Sequence, residues 1–152
     1  MNDLAVASQR LPAMTDKALA AVRALESDLM AMEQVPIRTH HQIHGGIYTR
    51  TICIPKGVAM TGALLKIPTT LILCGDITVF TGGDEVRVKG YAIFPGSAGR
   101  KQAVYAHEDT WASMSFPTQA TTVEQAEAEF TDEADMLGSR HSSSDQVIIT
   151  GE

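Results

Sequence analysis

Residues 54–101 read IPKGVAMTGALLKIPTTLILCGDITVFTGGDEVRVKGYAIFPGSAGRK, and the punctuation of this stretch decides the fold class. Glycine or proline interrupts its apolar runs about every eight to twelve residues, the spacing of short antiparallel strands in a sandwich or barrel rather than of helices. Glu85-Val86-Arg87-Val88-Lys89 alternates, which predicts a half-exposed strand with Val86 and Val88 turned inward. Thr81-Gly82-Gly83-Asp84 supplies the φ > 0 positions of a tight hairpin. Working outward, strands are expected at residues 48–54, 60–65, 71–74, 77–81, 85–89, 92–94, 102–105 and 110–116.

Helices are expected on both flanks. Leu19, Val22, Leu25, Leu29 and Met32 recur at three- and four-residue steps, so residues 15–32 read as an amphipathic helix capped by Thr15 or Asp16. Pro36 ends it, and residues 1–14 read as a loose arm. After Pro117, Thr121-x-x-Glu124 is a capping box, and Val123, Ala126, Phe130, Ala134 and Leu137 share one helical face that stops at Gly138. Residues 139–146 are polar and read as a mobile linker to the apolar tail Val147-Ile148-Ile149-Thr150, which can add a strand to a sheet edge, its own or a neighbour's. The expected organisation is an arm and helix over 1–36, a barrel over 37–117, an acidic helix over 118–138 and a tail over 139–152.

The chain has 152 residues, enough for one domain with a real core and too few for two ordinary ones. No stretch approaches the roughly 20 apolar residues of a membrane span, and the N-terminus lacks the basic start and apolar run of a secretory signal. The net charge is −6, and Glu124, Glu127, Glu129, Asp132, Glu133 and Asp135 crowd a segment with no Lys or Arg. Such a face repels phosphate, which argues against nucleic-acid binding through a basic footprint. Cys53 and Cys74 fall in expected strands and read as two buried thiols, bridged only if those strands are neighbours.

Gly57, Gly75-Asp76, Gly90 and Pro95-Gly96 stand where the two motifs of the cupin family, a jelly-roll superfamily, carry their glycines and turn. The segment resembles that framework and implies a jelly-roll barrel. In cupins the first motif supplies two histidines and a glutamate, and the second a third histidine. The corresponding residues here are Ala63 and Leu65, Thr69 or Thr70, and the run Ser97-Ala98-Gly99-Arg100. Alanine, leucine, glycine and a protonated guanidinium offer no lone pair to a metal, so no metal and no cofactor are expected. A narrower resemblance spans roughly residues 34–135. His40-His41, Gly46-Ile47-Tyr48-Thr49-Arg50, Ile54-Pro55-Lys56-Gly57, Thr61-Gly62 and Tyr105-Ala106-His107-Glu108-Asp109-Thr110-x-Ala112 are similar to cupin-like proteins of tailed bacteriophages and prophages.

Candidate chemistry is sparse. Among His40, His41 and His44, adjacent histidines in an extended segment point to opposite sides, so at most two nitrogens share a face, too few for a zinc site without a third donor. His107 with Glu108 or Asp109 has the makings of a general base, but no nucleophile motif accompanies it. The alternative for that string is a polar turn in which Asp109 caps backbone amides and Trp111 anchors the next strand. The glycines of residues 94–101 lack phosphate-loop spacing.

The expected function is therefore non-enzymatic: a phage structural or assembly protein, forming a homo-oligomer and meeting other phage structural proteins in the host cytoplasm and the virion. Val147, Ile148 and Ile149 are the candidate docking residues. A second expectation is a small-molecule or sugar site at the barrel mouth lined by Tyr48, Arg50, Tyr105, His107, Glu108 and Asp109. A third is an intracellular phage effector that holds a host protein through the acidic helix.

Overall fold

A computed structural model of the chain describes residues 10–80, 84–141 and 145–152. Its elements are α1 (Asp16–Met30), β1 (Thr39–His44), β2 (Ile47–Ile54), β3 (Ala59–Thr61), β4 (Thr69–Phe80), β5 (Glu85–Gly96), β6 (Ala103–Ala106), β7 (Thr110–Pro117), α2 (Val123–Phe130) and β8 (Gln146–Ile149), with 3-10 turns at Ala134–Met136 and Gly138–His141. The strands form one eight-stranded sheet in the order β3-β6-β4-β7-β2-β1-β8, with β5 on the other edge of β4. The sheet curls into a half-barrel of cupin-like jelly-roll form, as the glycine and proline spacing predicts.

Two expected strand pairs prove to be single long strands. Residues 71–74 and 77–81 merge into β4, and residues 85–89 and 92–94 into β5. The glycines between them, Gly75 and Gly90, face each other across the ladder with φ of 151° and 82°. A matched pair of glycines lets both strands bend together without losing their pairing, so what reads as a break is a shared kink. At that kink β4 changes neighbours, pairing with β7 over 70–74 and with β6 over 77–80. A Cβ on Gly75 would stand 2.5 Å from Thr110 Oγ1 and 2.7 Å from the Asp109 carbonyl oxygen, so only glycine fits where the strands part. The strand expected at 60–65 shortens to Ala59–Thr61. β1 is an additional strand, whose polar sequence THHQIH hides its period. The hairpin residues 81–83 lie outside the described residues. Val88 is buried and Val86 half-buried, as the alternation requires.

The apolar core has two parts. Ile54, Leu73, Ile77, Val79 and Phe94 with Leu11 form one, and Tyr48, Phe116, Ala126, Phe130 and Leu137 with Ile43 form the other. The second exists because α2 plugs one end of the curled sheet, stacking Phe130 on Tyr48 at 6.3 Å between ring centroids.

The flanks differ from expectation in detail. Part of the N-terminal arm is anchored: Leu11 donates to the Pro95 carbonyl oxygen and accepts from Ser97 N–H, and Met14 N–H donates to Gly99. Helix α1 is capped by Thr15, which accepts from Ala18 N–H at 3.1 Å, and ends at Met30, where the Gln34 amide donates to the Leu29 carbonyl. It lies on its own barrel beside β3, but of its apolar stripe only Val22 is fully buried. The cap of α2 is Thr122, one residue later than the expected box, with the Gln125 side chain accepting from Thr121 N–H. The helix stops at Phe130 rather than Leu137 because Thr131 turns extended and its hydroxyl captures Glu133 N–H at 3.1 Å, a local bond that competes with helix continuation. Ser139 and Arg140 sit in a 3-10 turn with side-chain bonds to Glu127, so this part of the expected linker is structured; residues 142–144 lie outside the described residues. The tail adds β8 to the protein's own sheet, parallel to β1.

Candidate functional site

The six residues expected at one barrel mouth are divided between two places. Alternation along β2 turns Tyr48, Arg50, Ile52 and Ile54 toward the interior, and Tyr48 is fully buried beneath α2. Tyr105 and His107 instead lie at the other end of the sheet on its outer face, edge to face with ring centroids 5.0 Å apart, with His107 Nε2 2.7 Å from Thr78 Oγ1. Glu108 pairs at the surface with Lys56, and Asp109 accepts from Lys56 N–H at 2.8 Å. Asp109 is thus the amide cap of the polar-turn alternative, while Trp111 is half exposed and does not anchor a core.

What converges under α2 is a polar network. Glu127 is buried and its carboxylate accepts from Arg50 Nη1 at 3.2 Å, Arg140 Nε at 2.7 Å and Ser139 Oγ at 3.0 Å. The acidic helix therefore does not present all of its carboxylates to solvent. Glu127 is legible in retrospect: it lies four residues after Val123 and three before Phe130, on the apolar stripe. Beside this network His41, also buried, bridges Tyr48 and Asp145, with Nδ1 2.8 Å from Tyr48 Oη and Nε2 3.2 Å from Asp145 Oδ2. A carboxylate only accepts, so Nε2 carries the proton and Nδ1 of the neutral ring accepts from the Tyr48 hydroxyl. Burial, opposed by the Asp145 hydrogen bond, holds the His41 pKa below its ordinary 6.5. Burial also raises the Tyr48 phenol. Tyr48 is closed off from solvent, so the chain Asp145–His41–Tyr48 ties β1 to the C-terminal segment and presents no reactive oxygen. His40 and His44 do not join it; His44 Nδ1 meets Thr150 Oγ1 at 2.7 Å. Among the described residues no group of three or more His, Cys, Asp or Glu is arranged to hold a metal ion.

At the same end of the sheet, Ala63 and Leu65 pack on the second core cluster and Leu65 bridges to Arg100. Arg100 is wholly buried, with its guanidinium donating to Thr69 Oγ1 and to the Ser97 carbonyl. Next to it Lys101, equally buried, donates to the Gly62 carbonyl and pairs with Glu26 at 2.8 Å and Glu133 at 3.2 Å. Burial works against ionisation of Glu133, but hydrogen bonds from Arg23, Leu64 N–H and Lys101 outweigh it and hold the carboxyl below its ordinary range. No periodicity marks either cation in the sequence.

The outer face carries a different array. Cys53 of β2, Trp111 of β7, Cys74 of β4 and Tyr91 of β5 stand directly opposite one another in register, forming one row across four strands. Trp111 is 50% and Tyr91 58% exposed, and Ile72 and Ile93 follow in the row two residues on. The cysteines are free, Cys74 exposed and Cys53 half-buried, which corrects the expectation of two buried thiols. Each sheet neighbour of Trp111 contributes one sulfur, so β7 separates them. Val147, Ile148 and Ile149 are all exposed on the edge strand β8.

No family model matches the chain, and no curated protein matches it. Solved structures are similar to parts of it. An ectoine synthase from P. lautus is similar over 65% of this chain and 76% of its own at 14% identity, with a TM-score of 0.49. A cupin superfamily protein from Desulfitobacterium hafniense is similar over 59% and 86% at 8% identity, with a TM-score of 0.47. A protein of unknown function from Streptococcus pyogenes is similar over 58% and 79% at 17% identity, with a TM-score of 0.44. These neighbours include a named enzyme, a cupin superfamily protein and a protein of unknown function.

Proposed function

We propose that this chain is a non-enzymatic cupin-like module of a bacteriophage, a structural or assembly component that acts through its outer sheet face. The observation that carries this reading is the row Cys53, Trp111, Cys74 and Tyr91 with Ile72 and Ile93 beside it. Large aromatic side chains left half exposed in register on the outer face of a sheet favour burial against another protein. The interior favours the same reading: at the positions where the resemblance to cupins implies metal ligands, Ala63 and Leu65, Thr69 or Thr70, and the run Ser97-Ala98-Gly99-Arg100, there is no histidine or carboxylate. The family resemblance in residues 34–135 supports the phage origin, and the exposed edge β8 offers a second contact to partners in the particle.

The test is light scattering on the purified chain beside the variants Trp111→Glu and Tyr91→Glu, with quantitation of the chain in purified virions. A closed oligomer that dissociates in the variants with an unchanged circular dichroism spectrum, and stoichiometric copies in the particle, are expected. A wild-type monomer that is missing from virions would overturn the proposal.

A further inference from the structure

Arg100 is a buried cation with no anion beside it among the described residues. Its guanidinium spends bonds on the Ser97 carbonyl and Thr69 Oγ1, while the buried Nε has no acceptor. No carboxylate pairs with it among the described residues, in contrast to Lys101 one residue later, which has two. Burial alone lowers its pKa to about 10, with no neighbouring charge opposing that shift. Bringing a guanidinium out of water is costly unless an opposite charge meets it. The surrounding chain nevertheless accommodates it closely: a Cβ on Gly96 would overlap the guanidinium, so the glycine makes room for it.

The two groups that Arg100 bonds are walls of a groove. It is open, holds about 360 Å³, and is bounded by the start of β4, the ends of β5 and β7, and Arg10 of the anchored arm. Thr69 and Ser97 line it, joined by the hydroxyls of Thr70 and Ser115. Its remaining surface is apolar, with Pro68, Pro95, Pro117 and Phe116, and among the described residues no acidic side chain lines it. Arg10 is held at the rim because Leu11 is tied to Pro95 and Ser97 by backbone hydrogen bonds. A cation behind the floor, a second at the rim, hydroxyls between and flat apolar walls together describe a site for an anionic head on a compact apolar body.

We propose that this groove binds a small organic carboxylate, its charge met by Arg100 behind Thr69 and Ser97 and by Arg10 at the rim. The planar guanidinium fork of Arg10 suits a carboxylate, and the proline and phenylalanine walls suit the carbon skeleton attached to it. Thr70, Pro95 and Ser115 continue the outer-face rows just beyond Ile72 and Ile93, so the groove borders the face of the assembly role, and titrating the Trp111→Glu chain beside wild type separates carboxylate binding from assembly.

The experiment is a thermal-shift and calorimetric titration of the full chain with benzoate and succinate, beside inorganic phosphate and sulfate, with chloride at matched ionic strength as the control. Wild type should bind about one carboxylate per chain, with Tm rising by roughly 5–10 °C at a hundredfold excess over Kd. Arg100→Met should abolish the response, and Arg10→Ala should weaken binding about threefold to tenfold, the loss of a rim charge worth less than a buried one. Ala98→Glu, which sets a carboxylate on the groove wall without touching Arg100, should also abolish it and decides the matter if Arg100→Met does not fold. A carboxylate response no greater than that of chloride, a response to phosphate or sulfate alone, or binding that survives Ala98→Glu would each overturn the proposal.

Discussion

Replacing Lys101 by methionine tests whether a buried ion cluster, rather than an apolar stripe, fastens α1 to the barrel. Lys101 is 1% exposed and joins three segments: Glu26 of α1, the Gly62 carbonyl after β3, and Glu133 after α2. Removing one partner of a buried pair costs about 3–5 kcal/mol when the other charge is stranded. Here the carboxylates are about one-fifth exposed and retain other partners, Thr61 for Glu26 and Arg23 for Glu133. That partial solvation and residual bonding reduce the expected loss to about 2–4 kcal/mol. For a chain of this size each kcal/mol moves Tm by roughly 2–4 °C, so a drop of about 4–16 °C is expected. Because Val22 is the only fully buried apolar residue of α1, the helix should loosen first. Hydrogen exchange across Asp16–Met30 should accelerate more than exchange in β4. A double-mutant cycle with Glu26→Gln should show coupling of about 1 kcal/mol or more. An unchanged Tm with undiminished protection of α1 would refute the reasoning, and would transfer the anchoring to the partly covered leucines.

Gly75→Ala drives a methyl into Thr110 and the Asp109 carbonyl at a positive φ, and should cost about 2–4 kcal/mol in urea unfolding; a loss below about 0.5 kcal/mol would show that the shared kink is adaptable. The depressed His41 pKa has a definite sign: below pH 6.5 the unfolded chain binds a proton that the folded ring resists, so this contribution is present above 6.5 and is lost as the pH falls toward the folded value. The urea midpoint should therefore fall between pH 7.5 and 5.5 with a slope from His41 of at most about 1.4 kcal/mol per pH unit, and His41→Gln should flatten that part of the profile. Asp145, Arg50 and Glu127 face the ring, and an unflattened profile would assign the titration elsewhere. Cys53 and Cys74 lie on the two strands flanking β7, about 10 Å apart at the strand spacing and beyond disulfide reach. Both should label as free thiols on intact, air-oxidised protein, Cys74 faster; a monomer lighter by the two hydrogen atoms lost in disulfide formation would refute that placement.

Local chemistry determined much of this protein from sequence alone. Apolar runs punctuated by glycine and proline specify short paired strands, because alternation and turn geometry act over a few residues. The same locality marked α1, α2 and the β-prone tail. The ends were less legible: Thr131 diverts Glu133 N–H and stops α2 early, a contest between two hydrogen bonds that the apolar stripe does not reveal. Gly75 and Gly90 read alike as breaks, and only their meeting across the ladder turns two breaks into one bend. Partnership across the chain was decided by tertiary structure alone. Tyr48 and Arg50 went inside, Tyr105 and His107 outside, and the buried cation Arg100 came to stand behind a groove bordered by Arg10. Burial and charge pairing depend on which distant segments the curled sheet brings together, and no residue carries that information in its own neighbourhood.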